Sequence, residues 1–490
     1  MALIDIGDLC ITEASVSKQE GLQRAIRIKI VKGLWVRGGK LPSTRKMAEA
    51  MNLSRNTVIY AYEQLAAEGY IESRQGSGFY VVPKLPDHYL QVPGTQAKRP
   101  NVQTKIIDKP LPDLNRPFSP GVPDLAQFPH AKWQRFVSRH SASNNLMGAQ
   151  TIEGSLALRR AIADYLLASR SVHCSASDII ITQGAQQALT ISLMATMNHQ
   201  DDQVGIEQPG YTQLRKIISL LGYQSQAFPV RPVTGLDFDR VTASTVKTLY
   251  ITPSNQYPLG TTLNTEQRLE LIAWAQQHQS WIIEDDYDSE FQFAHQPYPS
   301  LQGLADSLGE PSRVLYVGSF SKIMFNGLRL GYMVAPKALQ ERCLMIKEAL
   351  TGNTPSHTQA ALADFIAEGE LLRHIRKMRR VYNEKYQRLV LSLHTYFGGD
   401  VEVISQAAGL HVTLRWYGQL SEQTWAERAL KQNIVIRPLT YYETAQAPAR
   451  DWQGAVLGFG NIALDSLDEA VSILADCFYS KDTRSHYGLP

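Results

Sequence analysis

Cysteine is scarce, with four in 490 residues, and no two of Cys10, Cys174, Cys343 and Cys477 form a CxxC pair. That spacing excludes a disulfide framework and a structural zinc site, so no metal is expected, and it fits reduced thiols in a cytosolic protein. No apolar run reaches the roughly 18 residues that a membrane span needs. The acidic start MALIDIGDLC lacks the charged-then-apolar order of a secretory signal. A cytoplasmic location without membrane contact is expected. Internal repeats are also missing. Net charge is only +3, so the total points to no partner, and the 44% hydrophobic and 19% charged fractions are ordinary for a globular chain.

The distribution of charge is uneven. Residues 21–82 hold ten Lys and Arg against four Asp and Glu, a local charge of +6, while residues 119–490 sum to −3. A basic block at one end of a weakly acidic chain suits either a solvated face or a polyanion partner. Eight prolines fall between Pro83 and Pro120. Proline removes an amide donor and fixes φ, so neither a helix nor a central strand survives that density. Residues 83–118 therefore read as an extended linker between a domain at 15–82 and another at 119–480.

In the first domain, Ser43 and Ser54 stand where N-caps belong, before helical stretches that begin at Thr44 and Arg55. Only Asn52 and Leu53 separate Met51, at the end of the first, from the second cap, which is helix-turn-helix spacing. Arg55, Asn56 and Thr57 open the second helix with side chains able to reach base edges and phosphates, while Val58, Ala61, Leu65 and Ala66 form its apolar face. Two short β segments flank Gly76-Ser-Gly78 and read as a hairpin with Arg74 near its tip. Taken singly, these features are ordinary caps and solvated residues. Their order, from Leu41-Pro-Ser-Thr-Arg45 through Leu53-Ser-Arg-Asn-Thr-Val58 and Glu68-Gly-Tyr-Ile71 to Gly76-Ser-Gly78, closely resembles the GntR-type winged helix. That resemblance implies that Ser43, Arg45, Ser54, Arg55, Asn56, Thr57, Arg74 and Gly76 form a face for double-stranded operator DNA.

Beyond the linker, β-rich runs at 178–182, 203–207, 248–252, 281–285, 313–317 and 330–334 alternate with helical stretches at 155–167, 186–197 and 265–278, and a long helical opening covers 358–397. Such alternation predicts an α/β domain with a mostly parallel sheet. Four groups of residues sit just after strands, where open α/β sheets bind ligands. Thr182-Gln-Gly184-Ala-Gln186 is a strand–turn–helix whose free amides suit a phosphate. Gln208-Pro-Gly-Tyr211 offers an aromatic face. Glu284-Asp285-Asp-Tyr287 supplies carboxylates that hold a pyridine nitrogen protonated. Gly318-Ser319-Phe-Ser321-Lys322, with Arg329 seven residues on, supplies an amine and a further anion-binding cation.

Together these groups resemble fold-type I pyridoxal-phosphate-dependent transferases. The resemblance implies pyridoxal 5'-phosphate as cofactor and Lys322 as the residue that condenses with its aldehyde. It implies that Asp285 pairs with the ring nitrogen, that Tyr287 and Asn255 approach the phenolic oxygen, and that Tyr211 stacks on the ring. Gly184, Ala185, Gln186, Ser319, Ser321 and Arg329 would hold the phosphate. A winged helix joined to such a domain resembles the MocR subfamily of GntR regulators, which implies a head-to-tail homodimer responding to the cofactor, often with a small amine or amino acid. Two other readings stay open: an active aminotransferase carrying a DNA-binding arm, and a repressor whose large domain only dimerises. In one place the pattern departs from the enzymes. They carry an arginine for the substrate α-carboxylate near the C-terminus, and here Val456, in Ala455-Val-Leu-Gly-Phe459, holds that position. Valine cannot replace a bidentate clamp, so simple α-amino acids are expected to bind poorly unless Arg437 or Arg450 substitutes.

Overall fold

Three serines start the first three helices in the computed structural model, which describes residues 4, 9, 17–83, 116–199, 201–293, 298–309, 311–445 and 447–480. The Oγ atoms of Ser17, Ser43 and Ser54 accept the backbone N–H of Glu20, Lys46 and Thr57, starting α1 (Lys18–Val31), α2 (Thr44–Met51) and α3 (Arg55–Ala67). Asn52 ends α2 in the left-handed region (φ 51°), which turns the chain into the Ser54 cap. Leu22, Ile26, Met47, Val58, Ala61, Tyr62 and Leu65 are fully shielded and form the core between the three helices. Ala66 is partly buried against them. A hairpin of β1 (Ile71–Arg74) and β2 (Gly78–Val81) follows, in the register Ile71↔Val81 to Arg74↔Gly78. Gly76 turns it with φ +72° in open space.

These elements belong to one compact unit, Met1–Pro110, and the rest of the chain, Leu111–Pro490, forms a second. The expected linker lies outside the described residues except at its ends, where Phe118 is buried in the second unit's core.

In the second unit, β3 (Ile179–Thr182), β4 (Gln203–Gln208), β5 (Gln224–Arg231), β6 (Gly235–Leu236), β7 (Thr248–Ile251), β8 (Trp281–Asp286), β9 (Val314–Ser319) and β10 (Gly331–Val334) make one sheet in the order β3-β10-β9-β8-β7-β4-β5-β6. The pairs from β9 through β8, β7 and β4 to β5 are parallel. Only β10 and β6 run against their neighbours. β3, β4, β7, β8 and β9 therefore deliver their carboxyl ends to one edge of the sheet. Near-continuous burial of these strands fits a sheet covered on both faces by helices.

The helical opening expected at 358–397 is two helices, Ser356–Ala367 and Glu370–Phe397, broken at Gly369, whose φ is +76°. The helical periodicity continues across the break, and only the left-handed glycine marks it. The second helix packs beside a four-stranded antiparallel sheet, β11 (Glu402–Val403), β12 (His411–Trp416), β14 (Gln453–Gly458) and β13 (Arg437–Pro438) in that order. Edge-on contacts among Phe397, Trp416, Trp425 and Phe478 fill the core there.

Leu65 lies wholly inside the helix-turn-helix core. Leu65→Ala should cost about 2–5 kcal/mol and lower the unfolding temperature of the first unit. Calorimetry of the full chain reads this as a shift in one transition, while unfolding of the second unit stays in place.

Candidate functional site

The carboxyl ends of β3, β4, β7, β8 and β9 meet around a cavity of about 340 Å³, within the range of small-molecule sites. Ala185, Gln186, Tyr211, Asp285, Tyr287, Ser319, Ser321, Lys322 and Arg329 line it, nine of the eleven residues expected. The other two, Gly184 and Asn255, are not part of its lining. Gly184, with φ +85° and ψ 176°, is the N-cap of the helix Ala185–Thr196, and no side chain caps that helix. Its amides thus stay free for an anion, with the Arg329 guanidinium 3.6 Å from where a Gly184 Cβ would sit. Arg329 itself is exposed and donates to the Gln186 side-chain Oε1 at 3.3 Å.

Lys322 is half-buried and donates from Nζ to the Gly121 carbonyl at 2.5 Å. A Cβ on Gly121 would stand 2.2 Å from that nitrogen, so glycine is what admits the lysine. Burial lowers the Lys322 amine to about 8, against the raising effect of Asp288 and Asp285. Across the cavity, Asp285 accepts from the Tyr250 hydroxyl through Oδ2 at 2.8 Å, while its Oδ1 is buried with no partner. Burial pushes the Asp285 carboxyl up to about 7, with the Tyr250 hydrogen bond and Lys322 pulling it down. The Tyr287 hydroxyl is also buried without a partner. Asn255, 2% exposed, donates from Nδ2 to Asp288 at 3.0 Å and leaves Oδ1 unpaired.

Sequence reasoning missed Tyr250, Gly121, Asn326 and the pair Tyr257–Tyr442, whose hydroxyls lie 2.9 Å apart; of these, Tyr250, Gly121, Asn326, Tyr257 and Tyr442 line the cavity. Tyr250 stands on the strand beside β8 and two positions before the Thr252-Pro-Ser-Asn255 motif, so strand alternation was the signal available for it. Nothing local marks Gly121, which lies 201 residues from its lysine.

The expected DNA-contacting residues of the first unit separate into two groups. Ser43 and Ser54 spend their hydroxyls on caps, and Thr57 is half-buried with its hydroxyl 2.7 Å from that of Ser54. Arg74 is held by Glu72 at 2.6 Å and lies 4.4 Å from the Tyr80 ring centroid. Arg55 and Asn56 stand exposed in the first turn of α3, Gly76 is exposed at the hairpin turn, and Arg45 is exposed with only a loose pairing to Glu49 at 3.3 Å. Lys46 on α2 and Tyr60 on α3, which is 54% exposed, are further exposed side chains that the sequence did not single out. Among the described residues no cluster of side chains suits a metal ion, and no helix is long and apolar enough to cross a membrane.

The gntR family of bacterial regulatory proteins matches residues 18–81, and the aminotransferase class I and II family matches residues 118–452. A relative from Rhizobium meliloti named probable rhizopine catabolism regulatory protein MocR is 33% identical over 482 residues, 96% of each chain. The chain is a MocR-type member of the GntR regulators. Another such regulator, the pyridoxine biosynthesis transcriptional regulator PdxR of Corynebacterium glutamicum, is 31% identical across 93% of this chain and 94% of its own. Among solved structures, the α-aminoadipate aminotransferase LysN of Thermus thermophilus shares the fold, with a TM-score of 0.67 at 24% identity over 74% of this chain and 92% of that one. This MocR-type protein is thus a DNA-binding transcriptional regulator with a fold-type I aminotransferase-like domain. The aminotransferase class I and II family is pyridoxal-phosphate-dependent.

The Asp285 carboxyl gives a pH-dependent test. It ionises near 3.8 when unfolded and near 7 when folded. Its burial penalty therefore builds up as pH rises between those values and is complete above about 7. Asp285→Asn keeps an acceptor for Tyr250 and removes the charge. In ligand-free protein it should stabilise the second unit at pH 8 by up to about 4 kcal/mol, with the gain shrinking toward pH 5. Thermal unfolding at the two pH values checks this, and a gain that is equal at both would contradict the ionisation argument.

Proposed function

We propose that this regulator binds pyridoxal 5'-phosphate through Lys322, and that cofactor occupancy, alone or together with a small amine, sets the affinity of the winged helix for operator DNA. The observation that carries the reading is the pair of buried, unpartnered polar atoms, Asp285 Oδ1 and the Tyr287 hydroxyl, in the same cavity as a lysine, an uncapped helix N-terminus and Arg329. Buried polar groups without partners are uncommon, and each calls for a ligand or a water. A domain that served only to dimerise would have no need to gather them in one cavity with a lysine and an anion cradle.

Bound there, the cofactor supplies an aldehyde and a ring that acts as an electron sink. The chain's own groups divide the work of holding it. Asp285 would pair with the ring nitrogen and hold its proton in place. Tyr287 and Asn255 would approach the phenolic oxygen, and Tyr211 would stack on the ring. The amides of Ala185 and Gln186 after Gly184, the hydroxyls of Ser319 and Ser321, and Arg329 would hold the phosphate. Lys322, with its amine lowered to about 8, carries a useful neutral fraction near pH 7. The protein works as a head-to-tail homodimer in the cytoplasm, as the family resemblance implies. A ligand that shifts operator affinity must bind the DNA-bound and free states differently, and the coupling is reciprocal.

Purified protein supplied with the cofactor should show a visible absorption band, and borohydride should fix the cofactor to the peptide holding Lys322. Operator affinity measured for cofactor-free and cofactor-loaded protein should differ. A label on another lysine, or equal operator affinities, overturns the reading.

The exposed start of α3 carries the second test. Arg55→Ala or Asn56→Ala should weaken operator binding by about 1–3 kcal/mol and relax specificity. Arg45→Ala should weaken binding to all sequences and flatten the salt dependence by about one unit. Gel-shift titrations at several salt concentrations read both effects. Unchanged affinity in the two α3 variants removes this helix as the reader of bases.

A further inference from the structure

The helix Glu370–Phe397 of the second unit carries a basic face far from the residues that line the cavity. Its sequence opens Glu370-Leu-Leu-Arg-His-Ile-Arg-Lys-Met-Arg-Arg380, with five Lys and Arg in eleven residues. Leu371, His374, Ile375, Met378 and Tyr382 are buried, at the spacing of one helical face. Arg373, Arg376, Lys377 and Arg380 fall on the other side, and all four are exposed. Their i, i+3, i+4, i+7 spacing makes them neighbours in one ridge. At 1.5 Å per residue the ridge is about 10 Å long. Asn383 and Glu384, in the next exposed turn, end it.

Few carboxylates answer these charges. Glu370 is shared between Arg373 at 2.6 Å and Lys132, on the helix His130–His140, at 2.7 Å, and the charge of Arg135 acts on it as well. Asp364 and Glu368, on the preceding helix, are held by Arg139 at 2.6 Å each. Lys377 donates to the Gln127 carbonyl at 3.2 Å, which leaves its charge in place. Among the described residues no ion pair engages Arg376, Arg380 or Arg135. Arg373 with Lys377, and Arg376 with Arg380, are like charges four residues apart, an arrangement that weakens a helix. The ridge also stands toward the positive end of the helix dipole, where anions are favoured. Gly369 is the N-cap there, and no side chain caps the first amides. The chain thus keeps a concentrated basic array that helps neither the helix nor its packing, in a unit whose residues 119–490 sum to −3.

We infer that this ridge, with Lys132 and Arg135 beside it, binds the sugar-phosphate backbone of double-stranded DNA, giving the second unit a contact of its own with the duplex in addition to the winged helix. Each strand of a duplex carries one phosphate per about 3.4 Å of axis, so the ridge spans about three phosphates. Guanidinium groups match phosphate oxygens through paired N–H donors. DNA is the polyanion that the observations favour, because the chain is a DNA-binding regulator and the hold of its first unit on an operator keeps a duplex at high local concentration around the second. Backbone contacts carry no sequence information, so the ridge adds affinity and orientation and leaves base reading to the winged helix. The inference does not depend on what occupies the cavity.

The test uses the full-length protein and a fluorescein-labelled duplex of mixed sequence, about 60 base pairs long, with binding followed by anisotropy from about 50 to 200 mM salt. The triple variant Arg373→Gln, Arg376→Gln, Arg380→Gln should lower the slope of log affinity against log salt by about 2–3 units. Over that range the unaltered protein should then lose on the order of 40-fold more affinity than the variant. Lysine at the same three positions keeps the charges and should keep the slope. A control with Lys216→Gln, Lys337→Gln and Lys431→Gln, three exposed residues elsewhere on the unit, changes the net charge equally and should move the slope by less than about one unit. If thermal unfolding shows the triple glutamine variant to be misfolded, Arg376→Gln with Arg380→Gln replaces it, since neither residue has an ion pair to lose, and the slope should fall by about two units. The inference is overturned if the glutamine variant keeps the slope, if the scattered control lowers it as far, or if the unaltered protein fails to bind the duplex at the lowest salt. A kept slope with a smaller species in sedimentation assigns the ridge to contact with a second copy of the chain, which also overturns it.

Discussion

Three consecutive buried acids at the end of β8 organise the site. A strand sends alternate side chains to opposite faces, so Glu284 and Asp286 point one way and Asp285 the other. The outer two have protein cations. Glu284 lies 3.5 Å from Arg268, with both side chains fully shielded, and Asp286 is paired to Arg170 at 2.6 Å. Asp285 has only the Tyr250 hydroxyl and the field of Lys322. A buried carboxylate without a cation is costly, and the fold tolerates this one at the focus of five strand ends. A positively charged group entering the cavity would balance that charge. The cost of burying Asp285 and the fit of the cavity to a cationic ligand thus come from one arrangement.

Around that carboxylate, close packing decides which groups can approach. Gly121 lets the Lys322 amine reach a carbonyl where any Cβ would collide with it. Gly409 plays a similar part on the far side, since a Cβ there would stand 2.2 Å from Asp288 and 2.4 Å from Asn255 Nδ2. Asp288 in turn fixes the orientation of Asn255. These contacts come from separate parts of the chain, and they explain why one cavity gathers an amine, an acid, a phenol and an anion cradle with few alternative arrangements.

The DNA-binding unit follows a different economy. Its serines are structural, starting helices whose next residues are free to face a partner. The hydroxyl of Ser54 is taken up by Thr57, while Arg55 and Asn56 stand outside. The hairpin arginine is tied to Glu72 and Tyr80. A residue named from its place in a motif can thus serve the scaffold, the partner or both, and only its contacts tell which.

Much of this protein was legible in its sequence because the signals are local. Caps, strand alternation and the motifs Gly184-Ala-Gln186, Asp285-Asp-Tyr287 and Ser319-Phe-Ser-Lys322 depend on residues within a few positions of one another. They determined the two-domain plan, the mostly parallel sheet and nine of the cavity's lining residues. The break at Gly369, the Tyr250 partner of Asp285, and the contrast between Arg437 and Arg450 were decided elsewhere. The break needed a backbone angle. The other two needed strand register, because Arg437 lines the cavity from the strand paired with Val456, and Arg450 is withdrawn by Glu422 and Glu443, the first of them 28 residues away. Contacts across such distances are set by how the sheets stack and pair, and the local sequence carries no record of them.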